Sequence, residues 1–227
     1  MKHQLEADSI QKNYGTKELL TDVYLKCETG DIIGLLGRNG SGKSTLLKIL
    51  FGTEPALNSS IRINGKPCPF PYRQGGQIAY LPQHRFLPAD IPVRKIIGIF
   101  IADKHAQQSI RANERISPHL NKYVNELSGG ELRYLEIMLL LNLDVKFVLM
   151  DEPFSGMEPL YKERIAALIT AYRTTKGFII TDHDYRNIIG TSTQLLLLSN
   201  GVCKRIQSLD QLETQHYLPP GTLAEFY

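Results

Sequence analysis

The sequence predicts an α/β protein: a buried core sheet, an N-terminal antiparallel β-subdomain and a small helical subdomain. Three observations carry that expectation. Mostly apolar runs of strand length recur at 31–36, 147–150 and 177–181. Runs without alternation fit strands covered on both faces of a parallel sheet. Segments with helical spacing lie between them, and from about 88 to 126 helical character takes over altogether, as in an inserted unit.

Each element follows in order. The first thirty-odd residues alternate short apolar and polar stretches and read as strands. Residues 31–36 form a buried strand that ends at Gly37. A glycine-rich turn leads into a helix over about 43–51. Residues 60–63 and those after Asn64-Gly65 read as a hairpin, because Asn-Gly favours a type I′ turn. Residues 77–81 are another short strand. Val93, Ile96, Ile97, Phe100 and Ile101 make a helical stripe, read as internal core. Then come a helix over 132–143, a strand over 147–150, a helix over 161–174 and a strand over 177–181. A hairpin over 194–206 turns at Asn200-Gly201. The whole chain, 1–227, reads as one domain. Residues 1–87 and 141–227 form its core lobe, and 88–140 the helical subdomain.

Composition narrows the classes. The chain has 227 residues, 42% hydrophobic and 22% charged, with a formal net charge of +3. That is ordinary for a globular protein and too weakly basic for a nucleic-acid footprint. Cys27, Cys68 and Cys203 are far apart and form no C-x-x-C pair, which fits a reducing compartment. No apolar stretch reaches the roughly 18 residues of a membrane span. Work at a membrane would therefore be that of a peripheral subunit.

Three motifs carry chemistry. Gly37-Arg38-Asn39-Gly40-Ser41-Gly42-Lys43-Ser44-Thr45 satisfies G-x-x-x-x-G-K-[ST], with a strand before it and a helix after it. Glycines let the backbone wrap a phosphate with its N–H groups pointing inward, and the helix dipole adds positive potential. Lys43 is spaced to reach the β- and γ-phosphates and Ser44 to bind Mg²⁺. Phe147-Val148-Leu149-Met150-Asp151-Glu152 ends an apolar strand in two carboxylates, where open α/β sheets bind their ligands. Asp151 would help to hold Mg²⁺, and Glu152 would act as general base on water. Leu127-Ser128-Gly129-Gly130-Glu131 contains an S-x-x-E capping box. The paired glycines add nothing to a cap, and they suggest a second anion-binding helix start offered to another subunit.

Together these motifs resemble the ATP-binding subunits of ABC (ATP-binding cassette) transporters, over essentially the whole chain. The resemblance implies a P-loop nucleotide-triphosphatase core of the ABC ATPase fold, with ATP and Mg²⁺ as ligands. It implies that Tyr14 stacks on adenine, that Gln83 contacts Mg²⁺ and senses a membrane partner, and that His183 contacts the γ-phosphate. Ser128, Gly129, Gly130 and Glu131 match the family signature, with Glu where Gln is commoner. Glu158 stands where Asp is usual, in a loop that crosses the dimer interface. The segments 151–159 and 180–184 look most like the lipopolysaccharide-export and branched-chain amino-acid subgroups.

The expectation is an ATP-hydrolysing motor subunit, peripheral on the cytoplasmic face of the inner or plasma membrane. It would pair head to tail with a second copy and drive membrane permease subunits, with no nucleic acid and no direct membrane insertion. The alternative is a soluble ATPase of the same type in a cytosolic assembly machine, such as iron–sulfur cluster assembly. A small GTPase is disfavoured, since Asn121-Lys122-Tyr123-Val124 lacks the Asp of a guanine-reading Asn-Lys-x-Asp segment.

Overall fold

In the computed structural model, residues 2–73 and 76–223 are described. Three strands are buried at every position: β3 (Ile32–Leu36), β7 (Phe147–Asp151) and β8 (Gly177–Thr181). Such strands must be covered on both faces, and they sit centrally in a six-stranded sheet. Its order is β10-β9-β3-β8-β7-β6, with β6 at Ile78–Leu81, β9 at Gln194–Ser199 and β10 at Val202–Ile206. All are parallel except β10, which pairs antiparallel with β9 across the Asn200-Gly201 turn.

The N-terminal strands form a separate antiparallel sheet of order β2-β1-β4-β5: β1 (Gln4–Tyr14), β2 (Lys17–Glu28), β4 (Asn58–Ile63) and β5 (Lys66–Pro67). Asn64 and Gly65, at φ 53° and 75°, make the left-handed turn that the sequence predicts.

Two cores follow from the period-two alternation of the central strands. Ile33, Leu35, Phe147 and Leu149 face the antiparallel sheet and α1 (Lys43–Phe51). Ile32, Leu36, Val148 and Met150 face α4 (Gly129–Leu141), α5 (Pro159–Tyr172) and the helical segment. That segment comprises α2 (Val93–Phe100), α3 (Lys104–Ala112) and two 3₁₀ turns, Ser117–His119 and Val124–Glu126. Val93, Ile96, Ile97 and Ile101 are buried, and half-buried Phe100 packs edge-on against Phe86 with ring centroids 5.9 Å apart. The stripe is therefore internal core.

Three features depart from the sequence expectation. Helix α4 begins at Gly129 rather than 132 because Ser128 caps it, and its residues 132–141 are buried without a break. Helix α5 begins at Pro159, a residue suited to a first turn. Two short helices, α6 (Tyr185–Thr191) and α7 (Asp210–Thr214), were not expected. Asp184 caps α6 by accepting the Arg186 N–H at 3.1 Å.

Candidate active site

The carboxyl ends of β3, β7 and β8 converge on one cleft of about 610 Å³. It is lined by Tyr14, Leu19, Asn39, Gly40, Gly42, Lys43, Ser44, Thr45, Gln83, Glu152 and His183. Residues from five separate stretches of chain thus meet where the sheet topology predicts a ligand. The loop after β3 owes its shape to glycine. Gly42 is left-handed at φ 105°, and a Cβ there would come within 3.1 Å of Leu19 and Leu20. A Cβ on Gly37 would lie 2.7 Å from the Leu198 carbonyl oxygen. The Lys43 ammonium is held inside the loop, donating to the Gly37 carbonyl at 2.7 Å and the Arg38 carbonyl at 3.3 Å. Burial pushes the Lys43 pKa down, while Glu152, Asp151 and Asp182 pull it back up. Beyond the loop, the Arg38 guanidinium donates to the His216 carbonyl at 2.7 Å.

The two carboxylates at the end of β7 have different surroundings. Asp151 is buried and accepts from the Ser44 hydroxyl at 3.0 Å and the Tyr80 hydroxyl at 3.2 Å. Burial raises its pKa, and these two bonds oppose the rise. Among the described residues no group of three or more His, Cys, Asp or Glu could cage a metal. A hydroxyl plus one carboxylate nevertheless suits Mg²⁺, which keeps water ligands and shares substrate phosphates. Glu152 opens to the cleft. Its carboxylate accepts from the Gln83 amide at 3.0 Å and lies 3.7 Å from His183 Nδ1. The backbone at Glu152 is left-handed, φ 51°, and its N–H still bonds the Thr181 carbonyl at 2.8 Å.

The Ser128 to Glu131 segment lies at the start of α4, outside the lining of that cleft. Both arms of the capping box are closed: the Glu131 N–H donates to Ser128 Oγ at 3.3 Å, and the Ser128 N–H to Glu131 Oε2 at 2.8 Å. His119 Nε2 lies 3.2 Å from the other Glu131 oxygen. The paired glycines do not share one role. Gly130 has a packing reason, since a Cβ would press on the Tyr161 ring at 3.1 Å. Gly129 is open, with Arg85 3.8 Å away.

The family described as "ABC transporter" matches residues 20–155. The chain belongs to the ABC transporter family. A "Probable ABC transporter ATP-binding protein" of Azorhizobium caulinodans is 32% identical over 210 residues, covering 87% of this chain and 74% of the relative. The "Lipopolysaccharide export system ATP-binding protein LptB" of Escherichia coli K12 is also 32% identical, over 87% of each chain. The fold matches a solved "ATP binding subunit of ABC transporter" with TM-score 0.81 at 23% identity, covering 98% of this chain and 97% of that one.

As a member of the ABC transporter family, the chain is an ATP-binding, ATP-hydrolysing subunit. Among its described residues no helix is long and apolar enough to cross a membrane. Tyr14 borders the cleft with its ring half exposed; its hydroxyl donates to Glu54 at 3.0 Å, and the Lys12 ammonium lies over the ring at 4.9 Å. Sequence reasoning missed Tyr80, which holds Asp151, and Arg133, which donates to the Asp151 and Glu152 carbonyls at 2.8 and 3.1 Å. Tyr80 stands three residues before Gln83, so the tyrosine itself was visible. Its partner was not.

Proposed function

We propose that this subunit is the ATP-driven motor of a membrane transporter and works as a head-to-tail pair. The observation that supports it best is the Glu152 carboxylate, facing the phosphate-loop cleft between Gln83 and His183. In this reading the loop amides and Lys43 position the β- and γ-phosphates, and Asn39, Gly40, Ser41 and Thr45 complete the cradle. Tyr14 carries the adenine. Ser44, Asp151 and Gln83 would hold Mg²⁺, which when bound with the nucleotide would neutralise phosphate charge. Glu152 takes the proton of the attacking water, and His183 keeps water and γ-phosphate in line. Ser128, Gly129 and Gly130 of each copy face the nucleotide of the other and add charge stabilisation.

Permease subunits would dock beside Gln83 on the helical segment at the cytoplasmic face of the membrane. The relatives named for lipopolysaccharide export make a lipid-handling permease the first to test.

The Glu152→Gln variant tests the chemistry. It should bind ATP, run as an ATP-dependent dimer on gel filtration and turn over at least about 10²-fold more slowly. Turnover at the wild-type rate would remove Glu152 from this role. Mild-detergent pull-down from the native host tests the coupling. A multi-span permease in the membrane fraction supports transport, whereas soluble partners alone would move the chain to a cytosolic assembly machine.

A further inference from the structure

Arg133 lies four residues past the start of α4, with its side chain only 10% exposed. One terminal nitrogen donates to the Pro82 carbonyl at 2.7 Å and to Glu136 at 3.3 Å. The other donates to the carbonyls of Asp151 at 2.8 Å and Glu152 at 3.1 Å. Glu136 is itself buried, and its second oxygen accepts the Phe86 N–H at 3.1 Å. A buried guanidinium needs such a counter-charge.

What the guanidinium grips distinguishes it from an ordinary structural pair. Pro82 is the residue before Gln83, and the other two carbonyls belong to the acidic pair. All three acceptors are backbone carbonyls, two where β7 ends and one just before Gln83, and both Glu152 and Gln83 line the cleft. Glu152 is also the one residue of the acidic pair in a left-handed conformation, which a non-glycine residue does not hold without support. A planar fork with several fixed donors can span these carbonyls at once, and a lysine ammonium cannot.

We infer that Arg133 is a positioning residue for hydrolysis: it ties the helix that begins at Ser128 to the backbone of Glu152 and to the turn of Gln83, and so aims the base. The inference rests on Glu152 being that base, as proposed above. It also makes α4 one rigid link between the segment offered to the partner's nucleotide and this subunit's own hydrolytic carboxylate.

The test compares Arg133→Lys with Glu152→Gln in the full chain. Arg133→Lys should slow turnover by roughly 10²-fold, the loss that a misplacement of about an ångström produces. Its affinity for a non-hydrolysable ATP analogue should stay at the wild-type value by calorimetry, and the ATP-dependent dimer should persist on gel filtration. Combined with Glu152→Gln in single-turnover assays, it should add no further loss, because both act through one carboxylate. Should Arg133→Lys fail to fold, the Arg133→Met/Glu136→Met pair replaces the buried charges together and is read the same way. Wild-type turnover in Arg133→Lys beside a slow Glu152→Gln overturns the inference and leaves the proposed function standing. Wild-type turnover in Glu152→Gln removes the proposed role of Glu152 and the inference with it. Additive losses, or loss of the dimer, would assign Arg133 a different role and also overturn it.

Discussion

Two helices in this molecule start beside glycines, and their first turns are finished in opposite ways. Helix α1 starts after Gly42, which is left-handed and provides no side-chain cap. Helix α4 starts after Ser128, with both arms of its capping box closed and His119 braced against Glu131. Both present the positive end of a helix dipole. The first couples that end to Lys43 and a glycine-shaped loop within one chain. The second is a finished helix start, its capping bonds closed by its own side chains. Whatever it offers a partner must come from the Ser128 hydroxyl and the backbone N–H groups of Gly129 and Gly130, which the cap does not use. Similar glycine-rich text thus encodes an anion cradle in one place and a capped, packed helix in the other.

The largest test of that contrast is Lys43→Ala. It should lose ATP binding by calorimetry, and unchanged affinity would deny α1 its special standing. Next is Ser128→Arg, which fills the space before α4. Turnover should fall by about 10²-fold, the scale for losing one preorganised donor, while the monomer still binds ATP. An equal loss of ATP affinity would make the two helix starts equivalent.

A smaller effect concerns stability. Burial raises the Asp151 pKa, so the native state takes up that proton before the unfolded chain does. The group's stabilising contribution is complete at low pH, below the unfolded carboxylate pKa, and is lost as pH rises through the folded value. Without nucleotide, Asp151→Asn should therefore melt higher at pH 7, by roughly 2–4 °C for each kcal/mol relieved. The gain should vanish as the pH falls toward about 4. A lower melting temperature at pH 7 would mean that the Ser44 and Tyr80 bonds outweigh burial. The smallest effect is on the cap: Ser128→Ala should cost about 1 kcal/mol in chemical denaturation. No loss would show that packing of Gly130 on Tyr161, rather than the cap, holds the start of α4.

Much of this arrangement was legible in the chain. The buried strands announced themselves as apolar runs, the hairpins as Asn-Gly pairs, and the phosphate loop by residue type and spacing. Even the capping box at Ser128 and Glu131 is local text. What could not be read depends on contacts between distant residues. Tyr80 meets Asp151 across two parallel strands. Arg133 sits in a helix buried on nearly every side, so no periodicity marks it as anything but another core position. Helices α6 and α7 span seven and five residues, too few for a helical repeat to show. The resemblance marks Tyr14 only as an aromatic platform, and its hydroxyl bond to Glu54 adds a constraint on that ring.

The left-handed residue at the end of β7 has a consequence for which side chains position 152 can accept. Along a flat strand, neighbouring side chains point to opposite faces. A kink at residue 152 lets two successive acids serve one cleft, one bonded to Ser44 and the other to Gln83. The same kink screens occupants by shape. Branched side chains such as valine or isoleucine are excluded sterically, whatever their chemistry, while asparagine and glycine would relax the backbone. Aspartate would relax it too, with a shorter reach into the cleft. Position 152 is thus selective through its backbone and, under the proposed function, through its chemistry as well.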